Sequence, residues 1–273
     1  MGFKFVIKNG ELIEKEKANV SVYNKSLFFD FAVYSNLKII QGKMFLPEIE
    51  IAKLLESAKE IELKHNFKQK QIIEWAKILI KENNIQDALI RVLLIGPEKG
   101  AEPLLFLFPL GLTFYPDKLY KQGAKVITYH GERFMPASKT KNLLMSYIAY
   151  REAEKNGAID ALLIDRKGNI REGTRTSFFV IKYDTLIAPP KEKVLPGVTR
   201  KVIFDIAPKI MKVKEEDIPL SKIKNYDEHF ISGTTIKIMP VSQIDDTVLR
   251  KGVGEKVKML QKMFKEYVDD YVN

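Results

Sequence analysis

Apolar residues along this chain recur with two different periods, and the period switches several times. Phe3–Ile7, Val20–Tyr23 and Phe28–Tyr34 are short runs rich in β-branched and aromatic residues, which read as strands. At Pro47 the period lengthens. Ile49, Ala52, Leu55 and Ala58 recur at three-residue spacing with charges between them, so a helix is predicted there. Lys68 to Glu82 repeats the helical pattern around Ile72, Trp75 and Leu79, and Ala88–Ile95 and Leu104–Phe108 read as strands. Residues 109–124, PLGLTFYPDKLYKQGA, hold two prolines and two glycines and no sustained period, which marks a linker or boundary. Beyond it a helix is expected over Asn142–Asn156, with Gly157 suited to its C-terminal cap. Strand-like runs follow at Ala161–Asp165, Ser177–Ile181 and Phe230–Ser232. A helix lies at Thr199–Ala207, and an amphipathic helix at Gly254–Tyr271. Strands and helices mixed in two parts argue for a two-domain α/β or α+β chain, divided into residues 1–113 and 114–273.

Composition narrows the class. The chain has 273 residues, 45% hydrophobic and 29% charged, enough to bury a core without disulfides or a structural metal. It has no cysteine, which excludes disulfides, zinc–thiolate sites, iron–sulfur clusters and a cysteine nucleophile. No apolar run approaches the roughly 18–20 residues that span a bilayer. The first residues hold no apolar signal segment, and Val6 stands where a myristoylation signal needs Ser or Thr, so a cytoplasmic location is expected. The net charge of +10 is dispersed among 35 acids. Dispersed charge favours a solvated Lys-rich surface over nucleic-acid binding, which concentrates its cations on one stripe. No repeat of 20–50 residues is present.

Common catalytic signatures are missing: no GxGxxG, no GxxxxGK[ST], no GxSxG and no HExxH. His65, His130 and His229 are far apart and lack ligand spacing, so each reads as a surface or satisfied histidine and no metal is expected. Four polar clusters remain in the second half. Ser138–Asn142 precedes a helix. Glu172-Gly-Thr-Arg-Thr-Ser177 is a polar turn feeding an apolar run. Leu195-Pro-Gly-Val-Thr-Arg200 starts a helix, where Thr199 can be the N-cap or the free N–H groups can hold an anion. Ser232-Gly-Thr-Thr235 can hold a phosphate or shape a turn.

Together, in this order, the clusters resemble the class IV, or fold-type IV, aminotransferases. This family includes branched-chain and D-amino-acid aminotransferases and aminodeoxychorismate lyase. The matching stretches are Lys139-Thr-Lys-Asn142-Leu-Leu, Glu172-Gly, Leu195–Arg200 and Ser232–Thr235, followed by Pro240-Val241. The resemblance implies a mixed α/β, fold-type IV enzyme with a small α/β domain and a larger pseudo-barrel domain. It also implies pyridoxal 5'-phosphate as cofactor, a homodimer, and amino transfer between an amino acid and a 2-oxo acid. It makes Lys139 the Schiff-base lysine, with Lys141 the rival. Glu172 becomes the acid for the pyridine nitrogen, Leu195 the residue against the ring, and Val198, Thr199, Gly233 and Thr234 the phosphate donors.

Three departures stand out. The family's HxxRL arginine is Lys53, within Glu50-Ile-Ala-Lys53-Leu54, and a lysine lacks the bidentate fork. Ser35 replaces the glutamate of the DGVFE stretch, and Ser177 the asparagine after the Glu-Gly turn. Ala88-Leu-Ile-Arg91 resembles the branched-chain type, whereas the short Lys139–Asn142 spacing suits the D-amino-acid type; the lyase ranks third. Arg175 is a candidate for the substrate carboxylate, with the phosphate or solvent as its other possible partners and Arg91 as the fallback.

Overall fold

The computed structural model describes residues 2–97, 101–250 and 252–272; Met1, where the N-terminal reading begins, lies outside them. The chain divides into two compact units. One comprises Met1–Leu112, Ser138–Asn142 and Tyr271–Asn273, the other Thr113–Ala137 and Leu143–Asp270. Among the described residues, no helix is long and apolar enough to cross a membrane.

The first unit contains β1 (Phe5–Lys8), β2 (Glu11–Glu14), α1 (Lys25–Phe28), β3 (Ala32–Ile40), β4 (Lys43–Phe45), α2 (Pro47–Glu60), α3 (Gln69–Glu82), β5 (Ala88–Ile95) and β6 (Leu104–Leu110). Its strands form one antiparallel sheet in the order β2-β1-β6-β5-β3-β4. Side chains alternate across a strand, so Val33, Ser35, Leu37 and Ile39 share one face of β3, and all four are fully buried. Ile51, Leu54 and Ala58 of α2 and Ile72, Ala76 and Leu79 of α3 pack into the same core. Each large aliphatic side chain buried there contributes roughly 1.5–3 kcal/mol, so this apolar face holds the helices on the sheet. Residues 139–141 run beside the start of β3. The Lys139 carbonyl accepts from Tyr34 N–H at 3.0 Å, and Lys141 N–H donates to the Ala32 carbonyl at 2.8 Å.

Two expected strands differ here. Val20–Tyr23 is not a strand: Ser21 Oγ accepts from Tyr23 N–H, and the Asn24 side chain caps α1 by accepting from Leu27 N–H. Local turn and cap chemistry outweighs β-propensity where no neighbouring strand takes up the side chains, and Val22 and Tyr23 are 70% and 83% exposed. The strand expected over Phe28–Tyr34 starts only at Ala32, because Phe28 ends α1 and Asp30 turns the chain with φ at 50°.

The second unit holds α4 (Asp117–Gln122), β7 (Ala124–His130), α5 (Leu144–Lys155), β8 (Ala161–Ile164), β9 (Asn169–Gly173), β10 (Ser177–Lys182), β11 (Thr185–Ala188), α6 (Val198–Ile206), β12 (Lys212–Glu215), β13 (Ile218–Pro219), β14 (Glu228–Gly233), β15 (Lys237–Ile244), β16 (Thr247–Val248) and most of α7 (Glu255–Val272). The strand order is β12-β11-β10-β14-β15-β7-β8-β9-β13, and β10 also pairs with β9 through Ser177 and Glu172. The strands from β10 round to β9 therefore close on themselves as a barrel. Val126, Leu162, Ile170, Phe178, Val180, Ile231 and Met239 belong to its apolar core. Residues 109–124 are more ordered than a linker: β6 extends to Leu110 and α4 occupies Asp117–Gln122. Gly157, just past α5, takes the left-handed φ of 65°.

The N-cap of α6 is Gly197, not Thr199. The Pro-Gly turn leaves Gly197 extended, at φ −70° and ψ 160°, so the helix begins at Val198 and Thr199 lies buried inside its first turn. No side chain caps this helix start.

Glu228 caps α7, accepting from Lys256 N–H at 3.1 Å and Val257 N–H at 2.8 Å. A Cβ added at Gly254 would lie 1.9 Å from the Glu228 carboxyl carbon. Gly254→Ala is therefore expected to cost about 2–4 kcal/mol by displacing a buried carboxylate from its donors. Urea unfolding measures this, and a midpoint equal to the parent's would refute the cap.

Candidate active site

β3 and α2 build one cluster, inside the first unit. Glu50, Lys53 and Ser57 lie at i, i+3 and i+7 on α2, a spacing that puts them on one helix face. Ser57 Oγ accepts from Lys139 N–H at 2.9 Å. The Lys139 side chain is 9% exposed, and its Nζ donates to Glu50 Oε2 at 2.9 Å and Ser35 Oγ at 3.3 Å. Ser35 Oγ donates to the same Oε2 at 2.5 Å. Lys53 Nζ is 3.6 Å from Glu56 Oε2. Burial holds the Lys53 ammonium below the usual lysine range; Glu56 opposes this and the Lys139 charge reinforces it. Lys141 points elsewhere: its half-exposed Nζ pairs with Asp30 Oδ1 at 2.6 Å.

A second cluster lies in the second unit, where the barrel closes. Glu172 Oε1 accepts from Arg133 Nη1 at 3.2 Å, and Oε2 accepts from Leu195 N–H at 3.0 Å. Burial pushes the Glu172 carboxyl above the usual range, opposed by the Arg133 guanidinium and the Leu195 N–H and reinforced by Asp160. Buried Asp160 braces the turn after Glu172. Its Oδ1 accepts from Thr174 N–H at 3.1 Å and Thr174 Oγ1 at 2.5 Å, and its Oδ2 from Thr176 Oγ1 at 2.7 Å. A Cβ at Gly173 would lie 2.1 Å from Thr176 Oγ1, so this close turn requires glycine.

The end of β14 lies alongside that turn. Ser232 pairs in register with Ser177, and a Cβ at Gly233 would come within 3.3 Å of the Arg175 carbonyl oxygen. Thr234 follows directly. Strand pairing and the Leu195 hydrogen bond thus bring three of the four sequence clusters together, with Val198 and Thr199 opening α6 three and four residues after Leu195. Buried Ser232 Oγ has no hydrogen-bond partner among the described residues. A cleft of about 950 Å³ is lined by Arg133, Phe134, Arg171, Glu172 and Lys193, among others of this unit.

Arg175 is exposed. Its guanidinium stacks 3.7 Å from the Tyr150 ring centroid and donates to the Ile159 carbonyl at 3.4 Å. Arg91, in the first unit, donates to Asn36 Oδ1 at 3.1 Å and lies over Tyr34. Buried His229 contacts the Ile223 carbonyl at 2.9 Å, and His65 stacks on Phe67. Among the described residues no group of His, Asp or Glu is placed to hold a metal ion.

Arg133, Glu50 and Asp160 were not singled out from sequence. Nothing marks Arg133, which sits in the unpatterned stretch before Lys139. Glu50 carried a readable signal, a charge four residues before Leu54 on the apolar face of α2. Asp160 is recognisable only through the turn it braces.

Residues 32–244 match the family model of the class IV amino-transferases. A putative branched-chain-amino-acid aminotransferase of Methanocaldococcus jannaschii is 31% identical, over 94% of each chain. A D-alanine aminotransferase of Staphylococcus epidermidis is also 31% identical, over 97% of this chain and 98% of its own. Among solved structures, the branched-chain aminotransferase of Escherichia coli superposes with a TM-score of 0.89 at 24% identity, covering 97% of this chain and 94% of that one. A T.th. branched-chain aminotransferase, solved with pyridoxamine 5'-phosphate, gives a TM-score of 0.90 at 23% identity, covering 98% and 95%. The fold is shared with these structures, and with the family match spanning most of its length the chain belongs to the class IV aminotransferases.

Proposed function

We propose that this aminotransferase moves the amino group of a branched-chain amino acid to a 2-oxo acid, using pyridoxal 5'-phosphate. The observation that carries the reading is the convergence of Glu172, the Leu195 turn and the β14 end in one unit, in a chain that also holds a buried, oriented amine at Lys139. The residues suit the cofactor's chemistry: an amine, an acid held by two donors, an uncapped helix start, and a buried hydroxyl at Ser232 without a partner among the described residues. When bound, that cofactor supplies an aldehyde that amines can join and a ring that accepts electrons.

Lys139 Nζ would be the group that joins the cofactor and moves the substrate proton. Glu172 would hold a proton on the ring nitrogen, and Arg133 and Leu195 N–H fix the carboxylate for that task. The Leu195 side chain would pack against the ring. The N–H groups of Val198 and Thr199, with Gly233 and Thr234, would hold the phosphate at the positive end of α6. Lys53, at the family's arginine position, would add charge for a phosphate. Lys53→Ala is expected to weaken cofactor affinity about tenfold and Lys53→Arg to tighten it, since guanidinium offers two fixed bonds. Titration by absorbance reads both, and unchanged affinity in the two variants removes Lys53 from the phosphate site.

Arg175 is proposed for the substrate carboxylate, with Arg91 as the alternative. Arg175→Ala is expected to raise KM for amino acids about tenfold or more, while amines lacking a carboxylate keep theirs. Equal KM values in parent and variant assign Arg175 to its stack on Tyr150 alone.

Branched-chain substrates lead because the Methanocaldococcus relative and the superposed structures carry that name. The Staphylococcus relative supports a second reading, D-amino-acid transfer. A panel of L-leucine, L-isoleucine, L-valine and D-alanine, followed by the change in cofactor absorbance, separates them. Conversion by the three L-amino acids is expected, and conversion by D-alanine alone overturns the branched-chain reading. We further propose a cytoplasmic homodimer, which a sedimentation mass near twice 31.4 kDa checks.

A further inference from the structure

We infer that Glu50 is a positioning residue for Lys139, a latch whose buried ion pair must open before the amine can react and which thereby slows its reaction with the cofactor aldehyde. The inference rests on the reading of Lys139 as the cofactor's lysine.

Glu50 lies on the helix face that packs into the sheet, and its side chain is 4% exposed. A carboxylate buried there costs several kcal/mol unless it is paired and hydrogen-bonded. Both conditions are met at one atom. Oε2 accepts from Lys139 Nζ at 2.9 Å and from Ser35 Oγ at 2.5 Å. Nζ also donates to Ser35 Oγ at 3.3 Å, which closes a three-membered cluster of Lys139, Ser35 and Glu50. The backbone of Lys139 is anchored separately, to Tyr34 and Ser57, so the side-chain pair is not needed to hold the segment.

The charges near this amine are few. From α2 come Glu50 and Lys53, with Glu56 beyond Lys53. From β3 comes the neutral Ser35. Two residues along the chain, Lys141 is already paired with Asp30. Glu50 is thus the anion in direct contact with Nζ.

Only the neutral amine is nucleophilic. For uptake, the ammonium gives one proton to solvent, and the freed Nζ lone pair forms the N–C bond. The aldehyde oxygen then leaves as water with the two remaining amine hydrogens. No electrons are exchanged with another reagent. A contact that must first be broken to free Nζ therefore slows this step.

The test uses full-length protein freed of cofactor, mixed with pyridoxal 5'-phosphate at pH 7 and followed by the absorbance of the bound form. Glu50→Gln keeps the shape and removes the charge, and is expected to take up cofactor about tenfold faster, since the amide no longer holds Nζ in a buried ion pair. Glu50→Leu, which suits an apolar helix face, is a second neutral variant with the same expectation. Glu50→Asp restores the charge and is expected to return the rate to within about threefold of the parent. A packing role alone predicts no acceleration in any variant. Circular dichroism and melting confirm that each variant is folded. Neutral variants at the parent rate or slower overturn the latch and leave the Lys139 assignment standing. A parent that takes up no cofactor overturns both.

Discussion

Replacing Lys139 by Ala is expected to abolish transamination, a loss of at least about a thousandfold in kcat, since the chain then lacks both the attachment amine and the proton-transfer group. Lys141 stands two residues away and carries the same amine. Its position tells against rescue: Lys141 Nζ is half-exposed and paired with Asp30 at 2.6 Å, whereas Lys139 Nζ is buried against Glu50 and Ser35. Borohydride reduction followed by peptide mapping is expected to place the pyridoxyl group on Lys139. Recovery of the label on Lys141 would reverse the assignment. Lys141→Ala is the companion variant, expected to retain most of the activity because it loses only a half-exposed ion pair, worth less than about 1 kcal/mol.

Glu172→Gln is expected to retain cofactor but to lower kcat by roughly two to three orders of magnitude. An amide has nearly the shape of the carboxylate and can still accept from Leu195 N–H. It carries no charge with which to hold a proton on the ring nitrogen. It also removes one charged partner of the Arg133 side chain, so some loss of stability accompanies the kinetic effect. Glu172→Asp separates the two consequences, since it keeps the charge and shortens the reach. Full turnover in Glu172→Gln would remove Glu172 from the chemistry and leave it as a partner for Arg133 and Leu195.

Elements governed by a single period were legible in the sequence. Ala88–Ile95 has the same bounds in the structure as in the reading, and the helices from Pro47 and near Lys68 fall where the three- and four-residue spacing puts them. The family and the enzyme class were legible too, because four motifs in order are far more specific than any one of them. Turn chemistry was less so. At Val20–Tyr23 an apolar run lies between Ser21 and Asn24, and those two polar groups decide the backbone. At Gly197 the extended glycine, not the nearby hydroxyl of Thr199, fixes where α6 begins. Long-range pairing was beyond reach. Glu172 and Ser177 face each other only because β9 and β10 close the barrel, and no spacing within the turn reveals that. Arg133 meets Glu172 across 39 residues and Glu50 meets Lys139 across 89, separations that local pattern cannot connect.

The bridged segment at residues 139–141 also sets an order of events during synthesis. Glu50 leaves the ribosome 89 residues before Lys139, which at about 5–20 residues per second is a delay of roughly 5–20 s. Through that interval the helix of Glu50 can dock on the nascent sheet, but its carboxylate has no ammonium from Lys139 and the edge of β3 at Ala32 and Tyr34 lacks the segment that will lie beside it. Contacts of such sequence separation form late, because the intervening chain must first be closed into a loop. A chain that has emerged as far as Leu112 therefore holds every strand and helix of the small sheet but still lacks that bordering segment, that charge and the C-terminal residues of the same unit. The lysine proposed for the chemistry is also the residue that brings to α2 the cation its buried carboxylate pairs with.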